Sequence, residues 1–144
     1  MSDMCFTIPG EPQGKARART FYNPRLGRSQ SITPEKTVLY ENLIKSCYEA
    51  QGIRGRWFDK EPLQMEIKAY FGIPKSASRK QQVEMVIGER APTKKPDADN
   101  IAKVVCDALN GIAYKDDTQI VSLYITKAYT ANEPRVEVTI RRKA

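Results

Sequence analysis

Between Lys94 and Gln119 the chain gathers residues suited to handling a phosphate and a cation. Asp97, Asp99, Asp107, Asp116 and Asp117 alternate there with Lys94, Lys95, Lys103 and Lys115, and with Asn100 and Asn110. The sequence contains no histidine. That excludes Ser-His-Asp and Cys-His catalysis, histidine-based zinc sites and a histidine general base. Any hydrolysis must run on carboxylates, lysine and a bound cation. From Ile101 the apolar residues Val104, Val105, Ala108 and Leu109 recur on one face of a helix. Asp99, Lys103, Asp107 and Asn110 fall on the opposite face. Asp97 or Asp99 stands where an N-cap is expected, and Gly111 where a left-handed C-cap residue is expected. The helix therefore starts with two carboxylates. A short antiparallel return after Gly111 would deliver Asp117 beside them.

Three carboxylates in one place repel. Two unit charges about 4 Å apart cost roughly 4 kcal/mol at an effective dielectric near 20. A divalent cation removes that cost, and donors that are all oxygen suit Mg²⁺ or Mn²⁺ rather than zinc. Such a cation can activate a water and steady charge on a phosphoryl group. Lys103, one turn after Asp99, is spaced to meet that phosphate. Each residue also has a plainer use. Asp97 could only cap the helix; Asp99 and Lys103 could form an i,i+4 ion pair worth about 0.2–0.5 kcal/mol; Asp116 and Asp117 could form a polar turn. At this level both readings stand, and the joint pattern is what points to a metal site.

The elements that must position these residues follow from the 144-residue length, one domain over 1–144 with room for a core. The chain carries 24 Lys and Arg against 17 Asp and Glu, a net charge of +7. A basic surface around an acidic pocket fits a partner rich in phosphate. Cys5, Cys47 and Cys106 are far apart and read as reduced, buried thiols. No apolar run reaches the ~18 residues of a membrane span, and the first residues lack a signal-peptide pattern, so a cytoplasmic protein is expected. A strand is expected over 5–8. A basic arm follows, with Lys15, Arg17 and Arg19 on one face of an extended chain and Arg25 and Arg28 beyond. It reads as a phosphate-contacting surface or as an exposed flexible loop; Phe21 and Tyr22 read as anchors of a hairpin, with stacking on bases as the other use. Thr33-Pro34 opens a helix to about Glu49, with Val38, Leu39, Leu43, Ile44 and Cys47 inward. Trp57-Phe58 reads as a packing anchor. Strands are expected over 63–71, 120–129 and 135–141, a modest helix over 78–87, and a hairpin turn at 130–134. The order specifies an α/β (α+β-like) domain, one mixed sheet flanked by helices.

The run Lys95-Pro96-Asp97-Ala98-Asp99-Asn100 with Lys103, then Asp107-Ala108-Leu109-Asn110-Gly111, then Asp116-Asp117-Thr118-Gln119 resembles the RusA family of Holliday-junction resolvases of bacteria and their phages. Ile8-Pro9-Gly10-Glu11-Pro12 with Lys15 to Arg19, and Ile32 to Thr37 with Tyr40-Glu41, are similar to the family's N-terminal basic segment and first helix. The resemblance implies a RusA-like fold and a homodimeric, Mg²⁺-dependent endonuclease, with Mn²⁺ able to substitute, that cuts four-way DNA junctions by paired nicks. It implies that Asp97, Asp99 and Asp117 are the metal-holding carboxylates and Lys103 the catalytic lysine, with Asp116 and Asn100 as further ligand or positioning residues. Lys15, Arg17, Arg19, Lys94 and Lys95 are the expected DNA contacts. A flap- or fork-selective nuclease, a non-cutting recombination accessory and a nucleotide phosphohydrolase are the alternatives. The last lacks a glycine-rich phosphate loop.

Overall fold

The computed structural model describes residues 3–16, 18–53 and 55–143. Along them run β1 (Met4–Pro9), β2 (Arg19–Asn23), β3 (Arg28–Ile32), α1 (Glu35–Glu49), β4 (Leu63–Gly72), α2 (Arg79–Val86), α3 (Ala98–Leu109), a single 3-10 turn (Asp117–Gln119), β5 (Ile120–Thr130) and β6 (Arg135–Arg142). Strict alternation decides which way the sheet faces. Leu63, Met65, Ile67, Ala69 and Phe71 of β4, Val136, Val138 and Ile140 of β6, and Met4, Phe6 and Ile8 of β1 are all buried. The registers Phe6↔Val138 and Ile67↔Val138 set them on one face. α1 and α3 pack together and complete that core, α1 against β1 and α3 against β5. The amphipathic reading of α3 holds: Ile101, Ala102, Val104, Val105, Ala108 and Leu109 are buried. Phe58 is buried and Trp57 packs beside the core. The expected mixed sheet with helices is what the chain forms.

The sheet order among the described residues is β1-β6-β4-β5, which corrects the hairpin expected at 130–134. β5 runs parallel to β4, and β6 pairs antiparallel with β4 on its other side. The loop between β5 and β6 therefore steps across β4, about two strand spacings or 10 Å. A four-residue loop spans that distance as readily as it closes a hairpin, so its length does not distinguish the two. The α2 and α3 segment supplies the crossover that a parallel β4–β5 pair requires.

Three local readings also change. The basic arm is not a loop throughout: β2 and β3 pair as a separate antiparallel ribbon. Its Phe21 and Tyr22 sit within that hairpin, paired with Gln30 and Ser29, and are 40% and 64% exposed. In α1 Ile44 is buried and Leu43 and Cys47 pack against the core as expected, while Val38 and Leu39 face solvent. Thr37, Tyr40 and Tyr48 complete the buried stripe; the two tyrosines widen the apolar face beyond its aliphatic residues, and the Tyr48 hydroxyl donates to Gly55 O and accepts from Trp57 N, each at 3.0 Å. Pro34 rather than Thr33 is the N-cap, its carbonyl accepting from Thr37 N and Val38 N. Finally, Cys5 is exposed rather than buried, because it lies on the outward side of β1. No helix among the described residues is long and apolar enough to cross a membrane.

The α1 correction is directly checkable. Ile44→Ala should cost about 2–5 kcal/mol, the range for truncating a buried aliphatic side chain. Leu39→Ala should change stability by no more than about 0.5 kcal/mol. Denaturant unfolding of both variants would contradict the assigned face if the two losses were equal.

Candidate active site

At the start of α3 the chain is clamped. A Cβ on Gly14 would lie 2.9 Å from the Cβ atoms of both Asn100 and Pro96, so only glycine lets the two segments approach this closely. Lys15 N donates to Asn100 O at 3.1 Å, and Ala16 N donates to Thr37 Oγ1 at 3.1 Å. The extended segment 12–16 thus bridges the first turns of α1 and α3. Beside it opens a cleft of about 750 Å³ whose lining includes Lys15, Lys36, Lys95, Asp97 and Asn100. The Lys95–Pro96 peptide is cis. Asp97 has the backbone of an N-cap but its carboxylate makes no capping hydrogen bond. Asp99 sits in the first turn, and Lys103 one turn later. All three side chains are exposed and carry no hydrogen bond or ion pair among the described residues. The plainer uses, a cap and an Asp99–Lys103 pair, are therefore not made. The helix N-terminus itself favours the two negative charges.

At the other end of α3 the carboxylates are occupied. Lys15 Nζ lies 3.1 Å from Asp107 Oδ2 and 3.2 Å from Glu41 Oε2. Burial alone would lower the Lys15 pKa, but the hydrogen bonds to Asp107 and Glu41 outweigh it and hold the ammonium above its ordinary range. Asn110 is the C-cap of α3, and Gly111 follows at φ +75°, a turn favouring glycine. The Asn110 Oδ1 accepts from Asp117 N at 3.2 Å. Asp116 Oδ1 accepts from Thr118 N at 3.1 Å. Gln119 Oε1 accepts from Lys115 N and Asp116 N, each at 2.9 Å, while its Nε2 donates to Asp59 O and Glu61 O. Asp116 thus caps a turn, and the Thr118 amide helps hold its carboxyl below the usual range. Partial burial, then Asp116 and Asp107, push the Asp117 carboxyl up. Cys106 is also pushed up, to about 11, by burial and by Asp117 and Asp107; its thiol rests against Met65 Sδ at 3.8 Å.

The expected meeting of Asp97, Asp99 and Asp117 does not occur within one chain. α3 has twelve residues, about 18 Å of helix. Asp97 and Asp99 stand at its start, and Asp117 is tied by Asn110 to its end. No group of three or more His, Cys, Asp or Glu is arranged to hold a metal among the described residues. Asn110 and Gln119 are positioning residues that the motif contained without revealing their task. An asparagine before a helix-ending glycine, with a glutamine two residues past the acidic pair, was the available signal.

The expected DNA contacts divide. Lys15 is turned inward onto two carboxylates. Arg19 is exposed on β2, and Lys94 and Lys95 are exposed just upstream of Asp97. Arg17 lies outside the described residues. Lys94 and Lys127 both sit over the Phe71 ring, at 5.6 and 5.3 Å, and Lys127 Nζ donates to Lys94 O at 2.6 Å.

Comparison with known proteins adds two findings. A family model described as "Endodeoxyribonuclease RusA" matches residues 9–141. An uncharacterised protein of Bacillus subtilis strain 168, YqaN, is 38% identical over 138 residues, covering 94% of each chain.

If Lys15 is internal, Lys15→Met should leave Asp107 and Glu41 facing each other and destabilise the fold by about 2 kcal/mol, the scale of a charged hydrogen bond. Because the folded pKa is raised, this contribution is full at neutral pH and fades only as pH climbs through the alkaline lysine range. Unfolding curves at neutral and strongly alkaline pH check both statements; unchanged stability at neutral pH would return Lys15 to the list of DNA contacts.

Proposed function

The chain belongs to the RusA endodeoxyribonuclease family, and from that premise we propose that it is a homodimeric, Mg²⁺-dependent endonuclease that resolves four-way DNA junctions by a symmetric pair of nicks. The family acts on branched DNA and its members are metal-dependent in general; the identity of the cation, the dimer and the residue roles are our reading. The observation that carries it is the unengaged trio at the start of α3. Asp97, Asp99 and Lys103 lie within about two helical turns, without partners among the described residues, beside a lysine-lined cleft. Two carboxylates left unpaired at a helix start, with no histidine and no paired thiols nearby, make an oxygen-only donor set that fits Mg²⁺ and tolerates Mn²⁺.

When bound, the cation lowers the cost of deprotonating the attacking water and offsets charge on the phosphoryl oxygens. The chain's own groups do the rest. Asp97, Asp99 and Asp117 are the ligands, with Asn100 and Asp116 as positioning groups. The Lys103 ammonium faces the scissile phosphate and donates to the oxygen on which charge accumulates. Lys36 and Lys95 hold the strand in the cleft. Lys94 and Arg19 contact neighbouring phosphates without reading sequence.

One chain holds Asp117 about a helix length from Asp97 and Asp99. Two copies related by a two-fold axis can bring Asp117 of one to Asp97 and Asp99 of the other. The same symmetry gives two sites per dimer, which two matched cuts on a near-symmetric junction require. In this reading each cage is built from both subunits.

Asp97→Asn, Asp99→Asn and Asp117→Asn should each reduce cleavage of a synthetic four-way junction at least about a hundred-fold, the scale of losing one transition-state contact, while junction binding persists. Asp117→Asn should be at least as stable as the parent, since it relieves repulsion from Asp116 and Asp107. Mixing the two inactive proteins Asp97→Asn and Asp117→Asn should restore single-strand nicking, because a mixed dimer then holds one cage free of substitutions. No recovery after subunit exchange would mean that each cage belongs to one chain. Charge removal at Arg19, Lys94 or Lys95 should flatten the salt dependence of junction binding by about one unit of log–log slope per contact; an unchanged slope removes that residue from the interface.

A further inference from the structure

The ribbon of β2 and β3 stands apart from the main sheet. Among the described residues its side-chain hydrogen bonds stay within it, Thr20 to Ser31 and Asn23 Nδ2 to Gln30 Oε1. Phe21, Tyr22, Leu26 and Ile32 are all exposed along it. They add nothing to the core, and apolar groups gathered in such a place mark contact with a partner. Charge names the partner. From Pro12 to Pro34 the sequence holds Lys15, Arg17, Arg19, Arg25 and Arg28 and no acidic residue. Lys15 is turned inward, so what the ribbon offers is arginine, which fits a polyanion. Its tip is a built feature. Asn23 Oδ1 accepts from Arg25 N at 3.0 Å, Asn23 O accepts from Leu26 N at 3.2 Å, and Gly27 turns the chain at φ +62°. Leu26, 50% exposed, is thereby held at the leading end between Arg25 and Arg28. The ribbon's root adjoins the cleft that Asp97 lines, because Lys15 N and Ala16 N bond to α3 and α1 there. Strands of five residues carry the tip about 17 Å beyond that root.

We propose that Leu26 is a wedge that stacks on the base pair at the DNA branch point, with Arg25 and Arg28 on the flanking phosphates, and that it sets the preference for branched over linear DNA. The proposal rests on the junction reading above and assigns the residue that makes the selection. A two-stranded ribbon fits a DNA groove, and a leucine at the leading point is a residue type that enters between base steps. In a linear duplex such a wedge must first unstack a step, which offsets what the contact gains. At a branch point the stack is already interrupted, so the same contact forms without that cost. Phosphate contacts do not discriminate in this way, because both DNAs present them. The ribbon therefore divides its work: the arginines bind, and the apolar tip selects.

The test reads binding, with no divalent cation present so that cleavage cannot intervene. The full chain is titrated onto a fixed four-way junction and onto a linear duplex built from one of its arms. Leu26→Ala should lose roughly ten-fold in affinity for the junction, the scale of one stacking contact, and less than about two-fold for the duplex. Its salt dependence on the junction should match the parent's. Leu26→Met, which keeps an apolar tip, should retain the junction preference, and that rescue separates a lost wedge from a disturbed ribbon. Arg25→Ala with Arg28→Ala should weaken binding to both DNAs alike and flatten the log–log salt slope by about two units. A Leu26→Ala protein that keeps the parent's junction preference, or that loses affinity equally for both DNAs, overturns the wedge and leaves the junction reading intact. A parent that binds junction and duplex equally removes the junction reading itself, and the wedge with it.

Discussion

Like charges are not crowded together in a fold without a counter-charge, and α3 is the element that enforces this here. Its apolar face is locked into the core by Ile101, Val104, Val105 and Leu109, each fully buried. That seating fixes where both ends of the helix emerge. Asp97 and Asp99 emerge at one end and Asp117 is held at the other, so these three carboxylates do not share one neighbourhood within a single chain. In the proposed reading, a site that uses all three draws on a cation and a second subunit.

The two ends of α3 treat their charges in opposite ways, and the contrast separates scaffold from chemistry. At the C-terminal end Asp107 has Lys15, Asp116 has the Thr118 amide, and Asp117 is fixed through its own backbone by Asn110. These contacts tie α3 to the N-terminal segment, to α1 and to the 3-10 turn, and they explain why the chain keeps so many acidic residues without losing order. At the N-terminal end Asp97, Asp99 and Lys103 have no partners among the described residues, although capping and pairing geometries were open to them. Asp117 shares something of that character. Its carboxyl is partly desolvated and lies close to two other negative groups, an arrangement that disfavours its charged form.

Much of this was legible in the residues. The apolar period of α3, the alternation of β4 and β6 and the glycine after Asn110 each report a local rule that the fold obeys. What was not legible depends on distance along the chain. The loop at 130–134 looks the same whether it closes a hairpin or crosses β4. Only part of the α1 face is legible: Leu43, Ile44 and Cys47 turn inward as their spacing predicts, but Tyr40 and Tyr48 bury their rings in place of Val38 and Leu39. Lys15 looked like a phosphate contact because its partners, Glu41 and Asp107, are 26 and 92 positions away and only tertiary packing brings them together. The separation of Asp97 from Asp117 is of the same kind: motif order says that the residues belong together, and says nothing about whether one chain or two must supply them.

The central claim is that the carboxylates on both ends of α3 converge on one cation only when two copies meet. The most direct measurement is to locate Mn²⁺ by its anomalous scattering in crystals of the protein grown with that ion. The account predicts a peak bounded by Asp97 and Asp99 of one subunit and Asp117 of the partner subunit, repeated across the two-fold axis. A peak held by Asp107, Asp116 and Asp117 of a single chain, or by Asp97 and Asp99 with Asp117 of both subunits remote, would contradict it.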